Sequence, residues 1–419
     1  MAQRACALSL ACVLSLACML WLAGCGVNAG RSSRARRADD AVAARSAVAV
    51  PAWVSDLQMI SATTGWALLS TSNPALPSPA ATELARTTDG GRTWAVVTPP
   101  AAAGALAADQ AVLKAVSASR AYLAVGGASG YSIPAVGQTE VFATSDGGRS
   151  WRHSAPFPAA GPDVLDFDGA YGWLLDDEGA AMGQNPIKVY RSTDGGVRWS
   201  LVAQTASSVT APPSASGLPV YCDKGSMAFR SPRVGWITGG CNELGVWVSS
   251  DGGLRWAVQA LPLPASTCRL SGCSIAAPQF FGRTGYLAIW AAPQPELLLT
   301  SSDGGTSWQP LPLPPGADQV RVMFFSAASG LLVPLTAPQG DYSRVFYITA
   351  DGGRRWVAVR QGRAFGSIAA ATFDPVSATT LFAWNADAGI GGSMPRIYRS
   401  TDSGRTWIGF EPRLTAAGS

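Results

Sequence analysis

A single histidine, His153, serves a chain of 419 residues. That scarcity excludes paired-histidine metal centres and the His-Glu-x-x-His helix of zinc proteases. The sequence also lacks a Gly-x-Ser-x-Gly nucleophile elbow and a phosphate-binding loop. Charge is sparse, with Asp, Glu, Lys and Arg making up 14% of residues. Taking the six Arg and two Asp of residues 1–50 from the 31 basic and 27 acidic side chains leaves 25 of each. The remainder is therefore neutral, which argues against a nucleic-acid binder, whose footprint is basic. Long apolar runs are missing too, with one exception at the N-terminus.

That exception is Ala5–Leu22, preceded by Arg4 and ending in Leu22-Ala23-Gly24-Cys25. It resembles a bacterial lipoprotein signal peptide, residues 1–24, whose lipobox makes Cys25 the acylated N-terminus. An ordinary cleaved signal or an uncleaved anchor helix are the competing readings. A diacylglyceryl group would carry two chains, enough for stable anchoring. Residues 25–50 are rich in Ala, Arg and Ser and lack aromatics. This composition predicts a flexible tether whose arginines can meet anionic headgroups. The implied location is extracytoplasmic, on the bacterial cell membrane.

Cysteine is scarce beyond that segment. Cys6, Cys12 and Cys18 leave with the signal, so Cys222, Cys241, Cys268 and Cys273 remain. Four cysteines allow three connectivities. Cys222–Cys241, either side of a turn at Ser231-Pro232, and the short loop Cys268–Cys273 are the favoured pairs. Their spacing does not form a zinc set. No cofactor is expected.

What the chain has in abundance is one motif, repeated seven times. Ser400-Thr401-Asp402-Ser403-Gly404-Arg405-Thr406-Trp407 is one copy, and the others centre on Asp89, Asp146, Asp194, Asp251, Asp303 and Asp351. Successive aspartates are 57, 48, 57, 52, 48 and 51 residues apart, a period of propellers and solenoids. The fifth position is Gly in every copy, whereas the fourth becomes Ser403. This comparison predicts that only the fifth needs a positive φ. The Asp is expected to bond the turn's own N–H groups, and the Trp to pack against a neighbour. The seventh position, Thr, Ser or Arg, should face solvent.

Each copy is preceded by two apolar strands around a short turn, as in Tyr171-Gly172-Trp173 and Val234-Gly235-Trp236. A third strand runs into the motif and a fourth leaves it. Four strands, seven times over, predict an all-β, seven-bladed propeller of four-stranded antiparallel blades over residues 51–411, with a tail at 412–419. Its closure would rest on packing between blades one and seven, unless 44–50 adds a strand.

The motif resembles the Asp-box, or bacterial-neuraminidase repeat, across residues 53–411. Families with this repeat include sialidases, xyloglucan hydrolases, sortilin-type receptors and photosystem II assembly-factor propellers. An uninterrupted ring with a box in every blade most resembles the last. The resemblance implies that the seven aspartates are fold elements, and that the protein is a non-catalytic binding or scaffold module for a protein or glycan. A sialidase-like glycoside hydrolase is the alternative. Its Phe-Arg-Ile-Pro motif has only Phe229-Arg230-Ser231-Pro232 to match, displaced into blade four. The longest connections fall on the face opposite the boxes and hold the candidate binding residues Tyr131, Asp176, Asp177, Glu178 and Tyr342. Asp176-Asp177-Glu178 reads as a solvated acidic loop, and His153 as a surface residue. Labelled fatty acid should enter the wild-type protein and not Cys25→Ala; equal labelling would remove the lipoprotein assignment.

Overall fold

The computed structural model describes residues 49–71, 82–103, 106, 111–128, 137–179, 184–206, 214–221, 223–240, 244–263, 274–290, 297–315, 319–335, 345–361, 371–385 and 395–415. The seven sheets are the blades of an all-β propeller, each built from four consecutive antiparallel strands. Blade three is representative: Pro162–Asp168, Tyr171–Asp177, Ile187–Ser192 and Ser200–Gln204 run from the centre outward. In blade five the innermost strand is split into Ser274–Ile275 and Gln279–Phe281, both paired with Thr284–Trp290.

The core is divided among the seams. One apolar cluster joins Trp66 of blade one to Leu113 of blade two, another Trp173 of blade three to Met227 of blade four, and another Phe382 of blade seven to Leu57 of blade one. Each blade thus buries one face against each neighbour, which is why the array closes on itself.

The Gly-aromatic signal of the second strands has a packing cause. The last or second-last residue of the innermost strand faces that Gly across the sheet: Met59 faces Gly65, Phe167 faces Gly172, Phe229 faces Gly235, Phe280 faces Gly285 and Phe324 faces Gly330. A Cβ at Gly172 would meet the Phe167 ring at 2.5 Å, and one at Gly330 the Phe324 ring at 2.8 Å. Freed of that clash, the Phe ring stacks on an aromatic of the preceding blade, as in Tyr122–Phe167 and Trp173–Phe229, with centroids 3.4 and 3.8 Å apart. Blade two reaches the same volume differently, with Ala115 opposite Ala121.

Ring closure uses both ends of the described chain. Arg413–Thr415 runs parallel to Thr93–Val96, the outermost strand of blade one, and Val50–Pro51 pairs antiparallel with it on the far side. Blade one is therefore six-stranded. The tail expected at 412–419 includes a strand, and Val50 belongs to the sheet instead of a tether. Leu414 and Ala52 are buried in the cluster between blades seven and one, so this closure has an apolar anchor.

The boxes correct one expectation. The fourth position has positive φ in every copy, from Gly352 at 74° to Gly147 and Gly252 at 83°, and Ser403 follows at 62°. Its N–H must reach the first hairpin turn of the same blade: Gly90 donates to Thr63 O at 2.8 Å, Gly252 to Arg233 O at 2.8 Å and Ser403 to Thr379 O at 3.0 Å. Two positive φ values in a row are needed, and Ser403 bears the strain. Ser403→Gly should therefore stabilise the ring by about 0.5–1 kcal/mol, the left-handed penalty less the entropy of a new Gly. Gly404→Ala, whose methyl would run into the Phe346 ring, should cost about 2–4 kcal/mol. Denaturant midpoints check both.

Candidate functional site

The conspicuous carboxylates belong to the boxes, and the turn uses them up. Thr87 Oγ1 donates to Asp89 Oδ1 at 2.9 Å and accepts the N–H of Gly91 at 3.0 Å. Asp89 in turn accepts the N–H groups of Arg92 and Thr93, and the Thr93 hydroxyl at 2.6 Å. Asp146, Asp194, Asp251, Asp303, Asp351 and Asp402 repeat the pattern. The exposed seventh position takes part wherever it carries a hydroxyl, as at Ser150, Ser307 and Thr406. The Ser150 hydroxyl and N–H hold Asp146 well below the usual carboxylate range, and those of Ser307 do the same for Asp303. At Asp89 and Asp402, burial pulls the other way and is outweighed by Thr93 and Thr406. An anion this fully engaged is a turn lock, not an acid or base at neutral pH.

Around these locks the box face is crowded with arginine. Arg92, Arg149, Arg198, Arg255, Arg354, Arg355 and Arg405 project from box positions six and seven, and Arg120, Arg233 and Arg283 from first-hairpin turns; all are exposed. Arg354 and Arg405 each donate to the carbonyl of their own box Asp. The only carboxylate paired with one of these ten in an ion pair, among the described residues, is Asp194 with Arg198 at 3.6 Å. This concentration is hidden in the neutral total of the chain. Each box arginine looks like an unremarkable surface residue until the seven boxes are placed on one rim.

A second group of acids lies away from the boxes, in blade three. Asp176 and Asp177 end the second strand of blade three, and the expected solvated loop is a packed network. Asp176 and Glu178 are buried, and Asp177 is half-buried. Asp176 Oδ1 accepts the Gly161 N–H at 2.7 Å, and burial pushes its carboxyl up to about 6. Asp177 accepts from Gly179 and Asn185, both at 2.8 Å, and Glu178 pairs with Lys188. Asn185 continues the chain to the backbone of Lys224, a buried lysine whose amine burial lowers to about 8. The unbroken apolar run Trp173–Leu175, buried on both faces of its sheet, could have flagged Asp176 as buried too.

Sequence reasoning missed a set of residues near the inner ends of blades one, three, five and seven. Asp374 Oδ2 of blade seven accepts the Met59 N–H of blade one at 2.5 Å. Gln58 does the same for Ala115, Asp166 for Phe229 and Gln279 for Phe324, each at 2.8 Å. Burial, with the neighbouring Asp56 carboxylate adding to it, pushes Asp374 up to about 7. These acceptors stand at one position of the repeat, directly before Met59, Phe167, Phe280 and, in blade seven, Pro375, and only alignment of the blades reveals them.

Cys25, Cys222, Cys241, Cys268, Cys273, Tyr131 and Tyr342 lie outside the described residues. His153 is exposed, 3.7 Å from Glu140 and stacked near Phe142. Arg230 of the Phe-Arg-Ser-Pro segment lies over the Phe280 ring at 5.8 Å, across the seam to blade five.

Residues 214–403 match the family model described as photosynthesis system II assembly factor YCF48. A search of curated proteins finds no match. Among solved structures, the chain is similar to YCF48 bound to D1 peptide, at 15% identity over 69% of this chain and 78% of that one, with a TM-score of 0.43. It is also similar to an ulvan lyase of polysaccharide lyase family 25, at 12% identity over 84% and 95%, TM-score 0.48. A prolyl endopeptidase matches at 11% identity over 87% of this chain and 50% of that one, TM-score 0.50. At such identities the likeness is one of fold. With its seven boxes, the chain is a BNR-like, Asp-box propeller.

The raised carboxyl of Asp374 gives a pH test. A group lifted from its ordinary 3.8 to about 7 stabilises the fold below its unfolded value, and that contribution is lost as pH rises through the folded one. Asp374→Asn keeps an oxygen for the Met59 N–H and removes the titration. Its thermal midpoint relative to wild type should rise between pH 4 and pH 8; a pH-independent difference would contradict the assignment.

Proposed function

We propose that this propeller is a non-catalytic binding and scaffold module, lipid-anchored outside the cytoplasm through Cys25, that captures an acidic protein segment on its box face. The observation that carries this reading is the rim of ten exposed arginines on a fold that is neutral beyond residue 50. Segregated charge raises encounter rates with an oppositely charged partner and fixes its orientation. Guanidinium groups on short turns are also suited to carboxylates, which they can grip with two parallel bonds. The seven box aspartates stay ionised and offset part of this field, and the ten arginines outnumber them.

The match of residues 214–403 to an assembly factor supports binding over catalysis. The face chosen differs from the one that loop length suggested. The acids described on that other side are paired with lysine, asparagine or backbone N–H groups.

The test is charge reversal. Arg149→Glu, Arg198→Glu and Arg255→Glu together should weaken binding of a Glu-rich peptide by about tenfold or more at low salt, and the wild-type affinity should fall as salt rises. Unchanged affinity in the triple variant would sink the box-face assignment. Turnover of fluorogenic sialosides by purified protein would instead favour the hydrolase alternative.

A further inference from the structure

The seams on the box face are not all filled alike. In blades one, three and seven the third residue before the box Asp is Arg86, Arg191 or Arg399. Each lies against the fourth-position Gly of the next blade's box: Gly147, Gly252 or Gly90. Arg86 donates to Ala118 O at 2.9 Å and Arg191 to Pro232 O at 3.4 Å, carbonyls at matching positions in the next blade's first turn. Arg86, Arg191 and Arg399 also lie over Trp66, Tyr171 and Phe382. A guanidinium therefore plugs each of these seams.

Blade five has Thr300 at that position. Across its seam with blade six, the Tyr286 hydroxyl takes the matching carbonyl, Ala327 O, at 2.7 Å. The space beside it stays open as a cleft of about 350 Å³, within the range of small-ligand sites. Thr284, Thr300, Ser302 and Gln309 line it, Arg354 of the next box stands at its edge, and Pro310–Leu311 gives it an apolar patch. Thr284, Ser302 and Gln309 have no side-chain partner among the described residues. Thr300 donates to Gly285 O at 3.2 Å and keeps lone pairs to accept with. Arg354 uses one N–H on Asp351 O at 3.2 Å, and its other donors remain.

Several neutral hydroxyl and amide groups, one small apolar patch and one guanidinium match a sugar ring with an acidic substituent. We propose that the cleft between blades five and six is a saccharide subsite for one sugar unit bearing an acidic group. Thr284, Thr300, Ser302 and Gln309 take its hydroxyls, and Arg354 takes the acid as a paired hydrogen-bond donor.

The experiment is calorimetric titration of the folded protein with trigalacturonate, and with maltotriose as the neutral comparator. Trigalacturonate should bind, and maltotriose, which lacks the carboxylates and has the opposite configuration at C4, should bind at least about tenfold more weakly. Thr300→Arg gives blade five the residue that plugs three other seams, and should abolish the binding. The same variant adds positive charge to the box face, so capture of the Glu-rich peptide should persist or strengthen; the two readings thus fail separately. Gln309→Leu, on the exposed outer strand, is the second variant should Thr300→Arg not fold, and should also weaken trigalacturonate. No binding, or binding that both variants leave unchanged, would overturn the subsite. Equal affinity for maltotriose would overturn the acidic group.

Discussion

The last backbone N–H of an innermost strand points out of its own sheet toward the preceding blade, and something must accept it. A buried donor left unpaired costs about 1–3 kcal/mol, and blades one, two, four and six pose the problem; blade seven has Pro375 at that position, with no N–H to place. Gln58, Asp166, Gln279 and Asp374 solve it at four seams by accepting that N–H from the next blade. The other seams are bridged by different means. Lys114 pairs with Asp166 at 2.8 Å, Thr238 donates to Ile275 O at 3.0 Å, and Arg321 donates to Ala371 O at 3.1 Å. Every seam therefore carries a directional bond beside its apolar cluster. The clusters supply attraction without direction; the bonds fix how far each blade is rotated against the next.

That division explains how the repeat can vary so freely. A Phe beneath a Gly, an Ala facing an Ala, or a Pro facing a Leu fills the same volume in blades three, two and seven. The box cannot vary in this way, because its hydroxyl, carboxylate and N–H groups satisfy one another in a closed set. Ser403 shows the limit of tolerance: the fourth position accepts a side chain, at a cost in backbone strain, because its hydrogen bond to Thr379 O remains.

Blade number, strand order and the role of the seven aspartates were legible in the sequence, because a turn motif of fixed geometry marks every blade. Features that depend on which blades become neighbours were not. Asp374 and Met59 are 315 residues apart, and nothing local to either announces the bond. Ser403 was misread because a single Ser among six Gly looks like permission for any φ, whereas it reflects a strain that a polar residue can bear. Asp176-Asp177-Glu178 was misread because a run of three acids suggests solvent. Their strand buries the first, and lysine or asparagine partners come from residues eight to ten positions further on. The arginines went unnoticed because total charge averages over both faces of a disc. The open seam beside Thr300 was likewise invisible until three other seams showed a guanidinium in the same place.

The strand at Arg413–Thr415 also has a consequence in time. Val50–Pro51 bonds to it and not directly to blade one. During synthesis, and during any export that threads the N-terminus first, the opening strand waits without a partner until Arg413–Thr415 emerges. The circle is thus fastened by its newest segment. A nascent chain interrupted after six blades leaves Leu57 and Trp94 without the Phe382 and Leu414 that cover them, so an unfinished molecule would display its incompleteness as sticky surface at the point where the finished one is sealed.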